Sequence, residues 1–117
     1  MLLADNPNPG VDALYDCVAT HPDDYSACSY DRDDAVAASG TPFLADVAAR
    51  EGLEMVDLTE WICPDGLEAC PPAVGDALVL RQTSHLTATY ATTLRPMLHR
   101  ALRQVGWATT PLARIRP

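Results

Sequence analysis

The chain has no lysine; all eight of its basic residues are arginine. Sixteen acids oppose them, for a formal net charge of −8. An acidic chain repels phosphate backbones, which argues against nucleic acid as a partner. No apolar run approaches the roughly 18 residues that mark a membrane-spanning helix. The opening Met1-Leu2-Leu3-Ala4-Asp5 lacks the basic region and long apolar core of a secretory leader. Taken alone, that lack predicts a cytoplasmic chain. Internal repeats and low-complexity tracts are missing too. At 117 residues there is room for one domain. A chain of that size buries roughly 65% of its unfolded surface, enough for one modest core.

The cysteines point away from the cytoplasm. There are four, Cys17, Cys28, Cys63 and Cys70, and cytosolic proteins rarely keep disulfides. Four cysteines allow three connectivities. Cys17–Cys28 and Cys63–Cys70 are favoured, because each closes a short loop beside turn residues. In the chain-entropy model each link adds roughly 2–3 kcal/mol. Four reduced thiols remain the alternative. A zinc site is disfavoured, because neither spacing is the close one of zinc folds. Paired cysteines without a leader are reconciled if the chain is a piece whose membrane-embedded partner is encoded upstream.

In chain order, Met1 to Ala4 reads as a short buried strand. Asp5-Asn6-Pro7-Asn8-Pro9-Gly10 is turn chemistry. Val11 to Ser29 reads as an irregular, stapled surface loop, with His21 an exposed turn residue. Asp23-Asp24 and Asp31-Arg32-Asp33-Asp34 read as a solvated face, a cation site being the lesser alternative. A short alanine-rich helix is expected within Asp31 to Ser39. Thr41 as N-cap with Pro42 behind it predicts a helix to Glu51, stopped by Gly52, with Phe43, Leu44 and Val47 inward. Leu53 to Leu58 follows as a strand, and that helix-strand rhythm predicts a parallel sheet. Trp61 reads as packing, with the lining of an acyl pocket as the minority reading. A stiff cysteine loop leads to a strand at Ala77–Leu80.

The chain is organised around the next stretch, Arg81-Gln82-Thr83-Ser84-His85-Leu86-Thr87-Ala88-Thr89-Tyr90. It reads as strand, tight polar turn, helix, with Ser84 as N-cap and His85 at the helix mouth. Open α/β sheets place their sites at such strand ends. Leu86, Tyr90, Leu94, Leu98 and Leu102 recur every four residues, the stripe of a helix packed by one face. Pro96 should kink or split that helix. Gly106 ends it, and His99 reads as surface. Residues 1–105 form the domain; 106–117 is a poorly ordered tail.

Ile62-Cys63-Pro64, Cys70-Pro71, Leu78-Val79-Leu80-Arg81 and Ser84-His85-Leu86-Thr87-Ala88-Thr89-Tyr90-Ala91 with Leu94 closely resemble the end of a known domain. It is the SGNH hydrolase-like domain fused behind the membrane acyltransferase family 3. Ala4-Asp5-Asn6-Pro7-Asn8-Pro9-Gly10, Asp16-Cys17 and His21-Pro22-Asp23-Asp24 with Ala27-Cys28 resemble earlier parts of it. The resemblance implies an α/β fold, the C-terminal fragment of a flavodoxin-like three-layer domain. That fragment would have few parallel strands and a long C-terminal helix. It implies transfer of acyl groups onto or off a cell-surface glycan, outside the membrane, with no cofactor or metal. An upstream membrane acyltransferase domain and a glycan or acyl-ester substrate are the implied partners.

The family's nucleophile is a serine in a Gly-Asp-Ser turn, and its histidine follows an aspartate by three residues. The histidine takes the serine proton, and the acid fixes the imidazole tautomer and steadies its charge. His85 matches the histidine. Gln82 stands where the aspartate is expected; its carbonyl can orient the ring but carries no charge. Asp76 is a weaker substitute, because it precedes the strand. Ser26, Ser29, Ser39 and Ser84 all lie outside a Gly-Asp-Ser turn. The isolated chain is therefore expected to be inactive. Two other readings remain: a non-catalytic ligand-binding module, and a small disulfide-bonded secreted protein unrelated to the family.

Overall fold

The computed structural model describes residues 1–10, 14–67 and 69–107. The elements run β1 (Leu2–Leu3), α1 (Leu14–Thr20), a 3-10 turn (Tyr25–Cys28), α2 (Arg32–Ala37), α3 (Thr41–Glu51), β2 (Met55–Val56) and α4 (Thr59–Ile62). They continue as β3 (Ala73–Val74), β4 (Ala77–Leu78), β5 (Leu80–Gln82), β6 (His85–Leu86), α5 (Ala88–Thr93) and α6 (Arg95–Gln104).

The fold is mixed α/β. β1 and β2 pair in parallel, Leu2 opposite Met55 and Leu3 opposite Val56. α3 lies between them in sequence, as a parallel connection requires. Pro42 sits in its first turn, where the missing N–H costs nothing. Gly52 ends it with φ 64°, in the left-handed region that a side chain would resist. The start differs from expectation by one residue. Gly40 is the N-cap and Thr41 lies inside the helix, where its hydroxyl donates to the Asp5 carbonyl at 3.0 Å. Phe43 points outward, 68% exposed, whereas Thr41 and Ala48 are the buried positions. β1 is a strand but not a buried one, since Leu3 is 54% exposed.

Two further corrections concern the α/β rhythm. The described residues hold one parallel strand pair and two antiparallel hairpins, β3–β4 and β5–β6, rather than one layered sheet. The expected strand Ala77–Leu80 is broken at Val79, whose N–H donates to Pro72 O. The C-terminal helix is split, as Pro96 leads one to expect, into α5 and α6; the division falls at Leu94, with Pro96 in the first turn of the second. That is the effect of a residue that cannot donate to the helix ladder.

The segment expected to be irregular contains α1. Leu14, Cys17 and Val18 fall at helical spacing, and Leu14 is 2% exposed. Leu14 packs with Cys28, Ile62, Val79, Leu80, Tyr90 and Leu94 into the core. The cysteines pair as Cys17–Cys28 and Cys63–Cys70. Cys63 and Cys70 are fully buried. Tyr30 and Cys70 exchange backbone hydrogen bonds, which tie one disulfide loop to the end of the other. The core thus sits directly beneath β5, and the disulfides brace it. The expected tail falls almost wholly at 108–117, outside the described residues.

Candidate functional site around the His85 hairpin

β5 and β6 are joined by the two-residue turn Thr83-Ser84. In this antiparallel register Gln82 is the cross-strand partner of His85, and Leu80 that of Leu86. The offset between the two pairs is a bulge at Arg81. Bulges re-aim side chains and cluster beside functional sites. Leu80 is fully buried and anchors the hairpin in the core, while Gln82 and His85 are exposed at its tip. The structure therefore brings together the two residues singled out for chemistry. Directly opposed residues hold their Cβ atoms about 4.5–5.5 Å apart. No hydrogen bond joins the two side chains among the described residues.

Thr83 adopts φ 37°. A β-branched residue with positive φ is a strained backbone and persists only where its surroundings hold it. A contact from far away in sequence reaches this turn. The Asn6 side-chain amide donates to the Ser84 carbonyl at 2.9 Å. Asn6 lies just past the carboxyl end of β1, and its neighbour Asp5 is fixed in turn. The Asp5 carboxylate accepts from the Gly40 N–H at 2.8 Å, and its carbonyl accepts from Thr41. The turn therefore hangs from the carboxyl end of the parallel pair, where such folds build their sites. In the sequence Asn6 belongs to a turn segment that also carries part of the family resemblance, and nothing there marks it as a tether.

Ser84 is in the turn and is not a helix cap. Thr87 is the N-cap of α5: its hydroxyl oxygen accepts from Tyr90 N–H at 3.1 Å. The same hydroxyl donates to Leu78 O, and the Thr87 N–H donates to Val79 O. His85 accordingly lies in a strand before the helix rather than at the helix mouth. Tyr90 closes the far side, its phenol donating to the Trp61 carbonyl. The Trp61 side chain itself is 42% exposed.

The other candidates are dispersed. Asp76 occupies the exposed β3–β4 turn. The Ser26 hydroxyl donates to Asp24, Ser29 caps the 3-10 turn through its backbone, and the Ser39 hydroxyl donates to Val36 O. His21 is exposed, with Nδ1 2.9 Å from Cys17 O. It lies near the sulfurs of Cys17 and Cys28. Those sulfurs are joined to each other, so they offer no thiolate to a metal. His99 is half-buried, and its Nε2 has no hydrogen-bond partner among the described residues.

Beside the hairpin lies a cavity of about 280 Å³ between the end of β1, α4 and the α5–α6 junction. Ile62, Leu86, Leu94 and Leu98 line it, with Asn6 and Arg95 among its polar groups. An apolar cleft with a few polar groups is the common form of a small-ligand site. Trp61 is not one of the lining residues.

No curated protein and no solved structure matches the chain. A family model does, described as the SGNH domain fused to AT3 domains, over residues 1–100. That span takes in the Asn6 loop, both disulfides and the histidine hairpin. No helix among the described residues is long and apolar enough to cross a membrane. The two disulfides fit an oxidising compartment. With its matched span covering all but the last 17 residues, the chain belongs to the SGNH domain family of the kind fused to AT3 domains.

Proposed function

We propose that this chain is the C-terminal portion of an acyl-ester transferase or hydrolase domain acting on cell-surface glycans. His85 is its general base and the nucleophilic serine lies on a separate segment. The domain works at the extracytoplasmic face, beside a membrane acyltransferase domain encoded upstream. The observation that carries this reading is the His85–Gln82 pair. A histidine and a hydrogen-bond acceptor oppose each other at the tip of a hairpin that Asn6 tethers to a strand's carboxyl end. Such a histidine can take a serine proton and return it to the leaving alcohol, with Gln82 Oε1 accepting from the other ring nitrogen. Gln82 carries no charge to steady the imidazolium, so turnover is slower than with a carboxylate.

Residues 1–105 form the working unit. Alone, the purified chain does not hydrolyse simple acetyl esters faster than its His85→Ala variant. His85-dependent turnover by the isolated chain would refute the proposal, and Ser84 would then be the first nucleophile to test. A second reading, a module that binds an acyl group or glycan without turning it over, draws on the uncharged Gln82 and the apolar cavity. A dissociation constant for an acetylated sugar, unchanged in His85→Ala, would favour it.

A further inference from the structure

The charges of this chain are segregated along the sequence. All sixteen acidic residues lie at or before Asp76, accompanied by two arginines, so that part carries −14. The residues after Asp76 hold the other six arginines and no acid, so they carry +6 within a total of −8. Three of those arginines, Arg95, Arg100 and Arg103, are exposed on α6. Arg95 and Arg103 lie eight residues apart, with Arg100 between them, so the three arginines share one side of the helix. A shallow cleft of about 440 Å³ runs along that side, lined by Pro96, His99, Arg100, Arg103 and Gln104. The ion pair found among the described residues, Arg50–Asp46, is elsewhere on α3.

The opposite side of α6 is apolar: Met97, Leu98, Ala101, Leu102 and Val105 are each half-buried, and none is fully buried. Trp107, immediately past the helix, is 55% exposed. A helix that turns its apolar side to its own domain presents its cations to solvent, and an aromatic ring beside them is of the type found at membrane interfaces.

We propose that the cationic side of α6 docks the domain on an anionic lipid surface, with Trp107 seated at the headgroup level. Each arginine near such a surface adds about 1 kcal/mol, roughly a fivefold gain in partitioning. Repulsion from the acidic part of the chain is screened beyond about 10 Å at 0.1 M salt. The cations at the contact are therefore felt and distant acids are not.

The 117-residue chain is tested by cosedimentation with phosphatidylglycerol-containing vesicles and with pure phosphatidylcholine vesicles. The expected result is binding to the anionic vesicles alone, abolished by high salt, with a blue shift of tryptophan emission that Trp107→Phe removes. Combining Arg95→Gln, Arg100→Gln and Arg103→Gln weakens binding about 100-fold, three fivefold steps, while Arg50→Gln leaves it unchanged. Circular dichroism checks the fold of the triple variant. If that variant unfolds, the salt and lipid dependence of the native chain still decide. Absent binding, equal binding to neutral vesicles, or a folded triple variant that binds like the parent would each overturn the proposal. Capture by a heparin-type polyanion without vesicle binding would overturn it in favour of an anionic glycan partner.

Discussion

Replacing Asn6 tests how the histidine turn is held. Its amide makes a hydrogen bond of 2.9 Å to the Ser84 carbonyl, 78 residues away in sequence. The site is half-buried, so water can partly replace the lost donor. A net hydrogen bond is worth about 0.5–1.5 kcal/mol, so Asn6→Ala should destabilise the fold by about 1 kcal/mol. For a domain of this size that lowers Tm by about 4–5 °C. Asn6→Asp is the sharper variant, because a carboxylate cannot donate and faces a carbonyl oxygen. It should cost more than alanine, about 2 kcal/mol at neutral pH. The facing carbonyl raises the new carboxyl's pKa in the folded state, so this deficit should shrink as pH falls through the ordinary carboxylate range. Urea denaturation reads the global loss. Amide exchange at Gln82 and His85 reads the local one and should accelerate more than exchange at Leu80. If Asn6→Ala leaves both stability and hairpin exchange unchanged, or if Asn6→Asp matches the parent at neutral pH, the tether is not real. Thr83 would then hold its positive φ for another reason.

In a protein joining this chain to a segment with the serine turn, Gln82→Asp should raise esterase activity in a His85-dependent manner. A charge pair at about 4 Å is worth about 1 kcal/mol in water and about 4 at intermediate dielectric. The gain should therefore lie between about fivefold, if the tip stays exposed, and about 10³-fold, if the partner segment covers it; no gain would mean position 82 does not reach the ring. Non-reducing peptide mapping should recover Cys17–Cys28 and Cys63–Cys70. Replacing either pair by serine should cost about 2–3 kcal/mol, and a link from Cys17 or Cys28 to Cys63 or Cys70 would contradict the fold. Burial, with a smaller contribution from Tyr90, pushes the Tyr30 phenol up to about 12 from 10.0. Its contribution is fully present below pH 10 and lost as pH rises toward 12. Stability should thus fall across that window by no more than about 1 kcal/mol per pH unit after solvent screening. Tyr30→Phe should flatten that slope; an unchanged slope would place the titration elsewhere.

Local chemistry was legible wherever one residue type has one physical role. Gly52 stops α3, Pro96 divides the last helix, and both cysteine pairs close short loops. Where two residues are equally fit for one role, the sequence does not choose between them. Ser84 and Thr87 are both good cap residues. Thr87 prevails because its hydroxyl and N–H also reach Leu78 O and Val79 O, while the hairpin places Ser84 in its turn. Phe43 was assigned inward by its hydrophobicity alone. In the structure the helix face that packs carries Ala48 and Thr41, whose hydroxyl donates to the Asp5 carbonyl. In α1 the turn residues and cysteines mask the helical period of Leu14, Cys17 and Val18.

The sequence by itself determined the family and the pairing expected of its cysteines, predicted parallel strands, and singled out His85 and Gln82 as candidates. These depend on neighbours within a few residues or on motifs that stay together along the chain. Only the tertiary structure decided how that site is held. It made the histidine stretch a hairpin rather than a strand-to-helix turn, set Gln82 opposite His85 in register, and tied Ser84 to Asn6. The physical reason is the sequence distance involved. A hydrogen bond across 78 residues leaves no periodic or local trace in either partner. It forms only where the fold brings the end of β1 and the hairpin within reach.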